Sequence, residues 1–315
     1  MYSRENYQKV KLIIEQRRKD AIRQADARDA EIRAMSEDIR LIDKELRSTG
    51  LALFRAACNG EEIAPIRERN AMLLKSREEA LIHMGLPTDY TEPKYTCPIC
   101  SDTGYNKDSL CKCFKEMLIY ENITSSGMGK LIERQSFENF DLERYSYSDE
   151  VYNRMKRNLE VAKRFAESFA KSPSTLLFFG KTGTGKTHVS TAIAKRVIEL
   201  GYEVLYDSSQ NIVSAFENDR FKSGYGPYEP KGDKYMECDL LIIDDLGTEF
   251  VNQFTVSCLY NLINTRQNKG LSTIISTNLS YDELSKKYED RIFSRLVGTD
   301  STVLLFVGKD GRVDG

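Results

Sequence analysis

Up to about residue 90, apolar residues recur at helical spacing against a highly charged background. Ile32, Met35, Ile39, Ile42, Leu46 and Leu53 fall on a/d positions, in a seam that extends back through Ala25 and Ala21. Asn59-Gly60 interrupts the seam, and Pro65 stands where the first turn of a new helix tolerates it. A second seam then runs through Ile63, Ile66, Leu73, Leu74, Leu81 and Met84. The spacing predicts a helical hairpin over residues 1–90, with charges of both signs on its outer faces. Such a hairpin either packs on its own chain or offers a docking surface to another protein, and spacing alone does not separate the two.

The texture changes after Gly85-Leu86-Pro87. A short cysteine-bearing module follows over 91–115, and then a connecting stretch over 116–150 that carries Ser136-Phe137-Glu138-Asn139-Phe140-Asp141. From 151 onward helix and strand patterns alternate. Met155, Leu159, Ala162, Phe165 and Phe169 mark an amphipathic helix, and apolar strand candidates lie at 175–179, 203–206, 240–243, 273–276 and 303–307. Helical stretches between successive strands imply an α/β domain over 151–315, with a parallel sheet covered on both faces. No internal repeat is evident.

Composition narrows the function classes. At 315 residues there is room for two domains, and a formal net charge of −2 requires any nucleic-acid surface to be local. No apolar run approaches the roughly 20 residues of a membrane span, and the charged N-terminus lacks a signal-peptide core, so the expected location is cytoplasmic with no membrane partner. Seven cysteines in such a chain point to reduced thiols or a metal site. Cys97-Pro98-Ile99-Cys100 followed by Cys111-Lys112-Cys113 offers two thiolate pairs across a turn-rich loop, a donor set that suits tetrahedral Zn²⁺. An iron–sulfur cluster takes the same ligands and stays open. Cys58, Cys238 and Cys258 are isolated and read as ordinary buried thiols.

The most specific chemistry lies in Gly180-Lys181-Thr182-Gly183-Thr184-Gly185-Lys186-Thr187, which satisfies G-x-x-x-x-G-K-[ST] between an apolar strand and a helix. The glycines let the backbone wrap a polyphosphate, so that its N–H groups and the helix N-terminus face the negative charge. Lys186 is then placed for the β- and γ-phosphates of ATP, and the Thr187 hydroxyl for Mg²⁺. Leu240-Leu241-Ile242-Ile243-Asp244-Asp245 delivers two acids at the end of a buried strand. Asp244 is assigned to Mg²⁺, and Asp245 to polarising the attacking water. Thr273 to Asn278 repeats the arrangement, with Asn278 placed to bond the water or the γ-phosphate. Arg291 and Arg295 sit four apart on one helical face, a spacing that suits a guanidinium offered to a neighbour's phosphate as well as a surface salt-bridge face with Glu289 and Asp290.

Between Phe216 and Tyr235 the aromatics Phe216, Phe221, Tyr225, Tyr228 and Tyr235 alternate with Arg220, Lys222, Lys231 and Lys234. Stacking faces beside cations form the pattern of single-stranded DNA binding, and equally that of a surface loop with partly buried aromatics.

In this order, GKTGTGKT, LLIIDDLG, STN and RIFSRL resemble the AAA+ ATPases of the bacterial replicative helicase loader branch, the DnaC/DnaI type. The CPIC and CKCF pairs and the SFENFD stretch strengthen the resemblance, which covers about residues 91–315. It implies a P-loop NTPase core with a five-stranded parallel sheet in order 5-1-4-3-2. It places a box VII arginine at Arg295, one turn after Arg291, sensor 1 at Asn278, and a late nucleotide-proximal arginine at Arg312. It also implies an N-terminal domain that binds a DnaB-type hexameric helicase, and an ATPase domain that self-assembles on ATP and touches single-stranded DNA. Asp245 stands where AAA+ proteins often carry Glu, which implies slow hydrolysis, and the chain ends too soon after Arg312 for a helical lid. Two other functions share these motifs: an IstB-type transposition helper, which the cysteine module argues against, and a nucleotide-gated adaptor with little turnover.

Overall fold

The computed structural model describes residues 3–169, 173–222, 230–298 and 301–310, without the side chains of 221, 222 and 289–291. The chain divides into two compact units, Lys9–Phe114 and Met1–Gln8 with Lys115–Gly315. Among the described residues no helix is long and apolar enough to cross a membrane.

The helical unit contains most of α1 (Arg4–Met35), then α2 (Glu37–Asn59) and α3 (Ala64–His83). The first predicted helix is therefore divided, and Ser36 is the reason. Its backbone is extended and its side chain accepts from the Ile39 N–H, so it caps a new helix instead of continuing the old one. Gly60, with φ 70°, closes α2, and Pro65 sits in the first turn of α3. Ile32, Ile39 and Leu81 form a small apolar cluster with Met84, Leu86 and Tyr90 against it. Two expected seam residues face outward: Met35, where α1 ends beside Ser36, is 68% exposed, and Leu74 of α3 is 53% exposed while its neighbour Leu73 is buried.

An ion-pair network links α1, α2 and α3. Arg77 donates to Asp43 (2.8 Å) and Asp29 (2.7 Å), and Arg33 donates to Asp43 (2.6 Å) and Asp29 (2.7 Å). Burial of Asp43 disfavours its charge, but the bonds from Arg33 and Arg77 outweigh burial and hold the carboxyl below its ordinary range. The short strands β1 (Tyr105–Asn106) and β2 (Ser109–Leu110) pair antiparallel in the cysteine segment.

The second unit holds α4 (Lys112–Ser125) from Lys115 on, α5 (Leu131–Arg134), a 3₁₀ turn at Glu143–Tyr145 and α6 (Asp149–Glu167). The alternating core follows: β3 (Thr175–Phe179), α7 (Lys186–Glu199), β4 (Val204–Ser208), α8 (Ser209–Lys222), α9 (Asp233–Glu237), β5 (Leu240–Leu246), α10 (Gln253–Asn268), β6 (Ser272–Thr277), α11 (Tyr281–Leu296) and β7 (Ser301–Leu305). The five long strands are parallel in the order β4-β5-β6-β3-β7. Read from the other edge, that is the expected 5-1-4-3-2.

Continuous apolar runs build this sheet because successive side chains face opposite sides. Leu176, Phe178, Ile242 and Ile274 enter one core with Ile193 and Val197 of α7. Leu177, Leu241, Ile243 and Ile275 enter the other with Leu259, Leu262 and Tyr288 of α10 and α11. Each such side chain, fully buried, contributes about 1.5–3 kcal/mol. A guanidinium also lies inside. Arg266 is wholly buried and donates to the carbonyls of Tyr235 (2.8 Å), Cys238 (2.9 Å) and Ser272 (2.6 Å), tying the approach to β5 to the start of β6.

Candidate nucleotide site and cysteine cluster

The parallel strands deliver their carboxyl ends to one edge of the sheet, where α/β folds place ligands. There Gly180 leaves β3 with φ 152°, and a Cβ on it would lie 2.2 Å from the Phe306 carbonyl, so only glycine lets the chain after β7 pass. Gly185 caps α7 with φ 94°, directly beneath Tyr145, whose hydroxyl a Cβ would meet at 2.8 Å. The Lys186 ammonium donates to the carbonyls of Gly180 (2.6 Å) and Lys181 (2.9 Å) and to Asn278 Oδ1 (2.7 Å). Asn278 in turn donates through Nδ2 to Asp245 Oδ1 (3.0 Å). Phosphate-loop lysine, amide and second acid thus form one chain of contacts, drawn from β3–α7, β6 and β5.

Asp244 is buried, with one carboxylate oxygen accepting from the Tyr206 hydroxyl and the other from the Ser276 hydroxyl. Burial and the adjacent Asp244 charge push the Tyr206 phenol upward, which keeps it a proton donor. Each oxygen keeps a further lone pair, so Asp244 and the nearby Thr187 fit a divalent cation. Asp245 has φ 52°, an uncommon conformation for a non-glycine residue that costs about 1–3 kcal/mol. The register explains it: Ile243 pairs with Ile275 but Leu246 pairs with Thr277, so β5 carries one extra residue as a bulge.

A cleft of ≈ 590 Å³ opens over these groups, lined by Thr182, Gly183, Gly185, Lys186, Thr187, Asp244, Asp245 and Asn278. Its other wall is the connecting stretch: Leu131, Gln135, Asn139, Phe140, Asp141, Arg144 and Tyr145, with His188 and Tyr206 beside it. The sequence reading assigned this stretch no site residue. Phe140 and Tyr145 lie nearly parallel, 5.9 Å between ring centroids, and Tyr145 donates to the Thr184 carbonyl (3.1 Å). His188 Nε2 faces two acceptors, the Ser136 carbonyl (2.9 Å) and Asn139 Oδ1 (3.1 Å), so it carries the proton. Burial lowers the His188 pKa, partly countered by its bond to Ser136. The signal was the aromatic SFENFD stretch, whose partners lie beyond the reach of local pattern.

The remaining assignments separate. Arg295 is half-buried near the end of α11 and is not among the cleft residues; its carbonyl accepts from Gln267 (3.0 Å) and Ser301 (3.4 Å). The side chain of Arg291 and the whole of Arg312, Tyr225 and Tyr228 lie outside the described residues, as do the side chains of Phe221 and Lys222. Lys231 and Lys234 are exposed, with the Lys234 ammonium 4.7 Å from the Tyr235 ring centroid. Two aromatics of that stretch do not offer free faces. Tyr235 is buried and donates to Asp207 (2.7 Å), and Phe216 packs on the same core, because β4 and β5 leave an apolar edge to cover there. Among the isolated thiols Cys238 is buried, Cys258 partly so and Cys58 exposed, the last on the polar face of α2 near its end.

In the helical unit the sulfur atoms of Cys97, Cys100, Cys111 and Cys113 lie within 4.8 Å of one another. Cys97 and Cys111 are 3.9 Å apart, and Cys100 and Cys113 3.6 Å. Four thiolates around one ion at zinc–sulfur distance stand about 3.8 Å apart, so the set is compatible with zinc. Asp102 accepts from the N–H groups of Thr96 (2.7 Å) and Cys97 (2.9 Å), which fixes the knuckle. Burial opposes ionisation of Cys100, but the bonds from Gly104 and the neighbouring thiols bring it down to about 7.

A family profile described as IstB-like ATP binding protein matches residues 121–297. The chain is 26% identical over 192 residues to the replicative helicase loader DnaC of Escherichia coli (strain K12), an alignment covering 61% of this chain and 75% of that protein. It is 24% identical over 201 residues to the replicative helicase loader DnaC of Buchnera aphidicola subsp. Schizaphis graminum (strain Sg), covering 64% and 78%. The crystal structure of the DnaC helicase loader aligns at 20% identity over 57% of this chain and 100% of that one, with a TM-score of 0.48.

Proposed function

The chain belongs to the IstB-like ATP-binding proteins, with an α/β AAA+ core, and on that footing we propose that it is an ATP-dependent loader of a DnaB-type replicative helicase onto single-stranded DNA. The observation that carries the reading is the chain of contacts from Lys186 through Asn278 to Asp245, in a protein similar to named helicase loaders. Lys186, now bonded to loop carbonyls, exchanges them for the β- and γ-phosphates of ATP. The loop N–H groups of Gly180 to Thr187 and the N-terminus of α7 receive the phosphate charge. Thr187 and Asp244 would hold Mg²⁺, which would supply neutralisation of phosphate charge. Asn278 reports the γ-phosphate to Asp245, which orients the attacking water, and Tyr206 and Ser276 hold Asp244 in place. Arg295, absent from its own cleft, serves a neighbouring copy's nucleotide, with Arg291 one turn before it and Arg312 near the nucleotide, so ATP promotes self-assembly.

The N-terminal helices, residues 1–90, take the helicase, and the segment 91–115 is a zinc module. Phe221, Lys222, Tyr225, Tyr228, Lys231 and Lys234 contact single-stranded DNA in the cytoplasm. The family profile's own description favours a second reading, an IstB-type transposition helper. The clustered cysteines favour the loader.

The test uses the full chain with a hexameric DnaB-type helicase and circular single-stranded DNA. The expected outcome is ATP-dependent transfer of helicase to the circle, lost in Lys186→Ala together with about 100-fold in ATP affinity. Failure to bind the helicase, with retention on duplex DNA beside a transposase, would sink the loader reading.

A further inference from the structure

Asp245 occupies a left-handed backbone conformation at the β5 bulge, and something must hold it there. Four hydrogen bonds meet on its peptide groups. Its N–H donates to Ser276 Oγ (3.0 Å), and its carbonyl accepts from the Thr248 hydroxyl (2.9 Å), the Thr248 N–H (3.1 Å) and Ser209 Oγ (3.1 Å). The same Ser209 hydroxyl, on the first residue of α8, also lies against Glu249 Oε2, so its single proton is shared between the Asp245 carbonyl and that carboxylate oxygen. The same carboxylate oxygen accepts from the Gly247 N–H (3.0 Å). Glu249 is 3% exposed and is not among the cleft residues, yet its side chain folds back under the turn it follows.

A buried carboxylate with no ion-pair partner among the described residues is costly unless its placement is needed. Its second oxygen, Oε1, is buried and has no hydrogen-bond partner among the described residues. Oε2 therefore makes the contacts, and both of them brace the turn that presents Asp245. One is the Gly247 N–H two residues beyond Asp245. The other is Ser209, which touches the Asp245 carbonyl itself.

We propose that Glu249 is a positioning residue for ATP hydrolysis: through Ser209 and Gly247 it holds the β5 bulge so that the Asp245 carboxylate stays aimed at the cleft and at Asn278. The inference rests on the ATPase reading above. Removing the brace leaves the phosphate loop intact, since Glu249 touches none of its residues. Affinity for ATP is then preserved while turnover falls.

Glu249→Ala, Glu249→Gln and wild type are compared as full chains for kcat, ATP affinity by a fluorescent analogue, and melting temperature. Glu249→Ala should lose roughly 10- to 100-fold in kcat, the scale of a misplaced catalytic group, with ATP affinity within about twofold. Glu249→Gln keeps an acceptor at the Oε2 position and should retain kcat within about threefold, even though its amide places a donor where Oε1 finds no partner and so lowers the melting temperature. A kcat that follows melting temperature in both variants, or that survives in Glu249→Ala, overturns the proposal. Amide exchange supplies a readout that needs no turnover: Glu249→Ala should speed exchange at Gly247 and Thr248 and leave β3 unchanged. A wild-type chain without turnover would count against the ATPase reading alone, while equal exchange in wild type and Glu249→Ala would overturn the positioning role.

Discussion

The sheet unit and the helical unit solve the same problem with different chemistry. In the sheet unit Phe178, Ile242 and Ile274 on one face and Leu177, Ile243 and Ile275 on the other are all fully buried, in two large apolar clusters. The helical unit gathers Ile32, Ile39 and Leu81 into a much smaller cluster, ties its helices together through Asp29, Arg33, Asp43 and Arg77, and ends in four clustered thiols. Apolar burial is spread over many contacts and is indifferent to pH and metal. Ion pairs and thiolate sets concentrate stability in a few groups, each of which fails as a unit. The first suits a platform that must hold Lys186, Asp244 and Asn278 still, and the second suits a module whose order can depend on a ligand.

The largest expected separation between the units comes from metal removal. Excess chelator should cost the cysteine segment on the order of 10 kcal/mol of binding-linked stability. Amide exchange across 95–113 should rise steeply while ATP affinity stays within about twofold. Exchange unchanged after metal analysis confirms removal would show that the segment is held without metal. Single substitutions come next. Arg77→Ala leaves Asp43 with one of its two cations and should destabilise the helical unit by about 3 kcal/mol, and Ile242→Ala should cost the sheet unit about 3 kcal/mol through a cavity. Peptide-resolved exchange should show each loss confined to its own unit, and a shared loss would mean that the two fold as one.

The smallest effect concerns pH. His188 is neutral when buried and its folded pKa lies below the unfolded 6.5, so its contribution is complete above pH 6.5 and is lost as pH falls through the lower folded value. Asp43 has a folded pKa below the unfolded 3.8, so its contribution persists to about that pH and is lost only below it. Acid titration followed by exchange should therefore loosen the wall around Ser136 and Asn139 before the α2–α3 pair. The reverse order would contradict the burial of His188.

Much of the sheet unit was legible along the chain. The strands near 175, 240 and 273 were marked by apolar runs, and the phosphate loop by glycines at fixed spacing. The helical unit was legible in kind but not in detail. Met35 and Leu74 satisfied the helical period yet face outward: α1 ends at Met35 because Ser36 caps a new helix, and in α3 Leu73 rather than Leu74 turns inward. Asp43 reads as a surface charge until Arg33 and Arg77 are seen beside it. In the cleft, Phe140, Tyr145 and His188 gave no local sign of their neighbours, and nothing in the local pattern marks Glu249, in the loop after β5, as buried.

Sequence alone marked the candidate groups for chemistry: a lysine and threonine after a glycine loop, acids at the end of a buried strand, and thiols in pairs. These are written in residue types and short spacings, which local backbone geometry enforces. Tertiary structure decided which of them meet. Lys186 reaches Asn278 across 92 positions, and Tyr206 reaches Asp244 across 38. The bulge that turns Asp245 comes from a mismatch between β5 and β6. Such contacts depend on strand order and register, and the energy that selects these comes from burying both faces of the sheet at once, a property of the whole core.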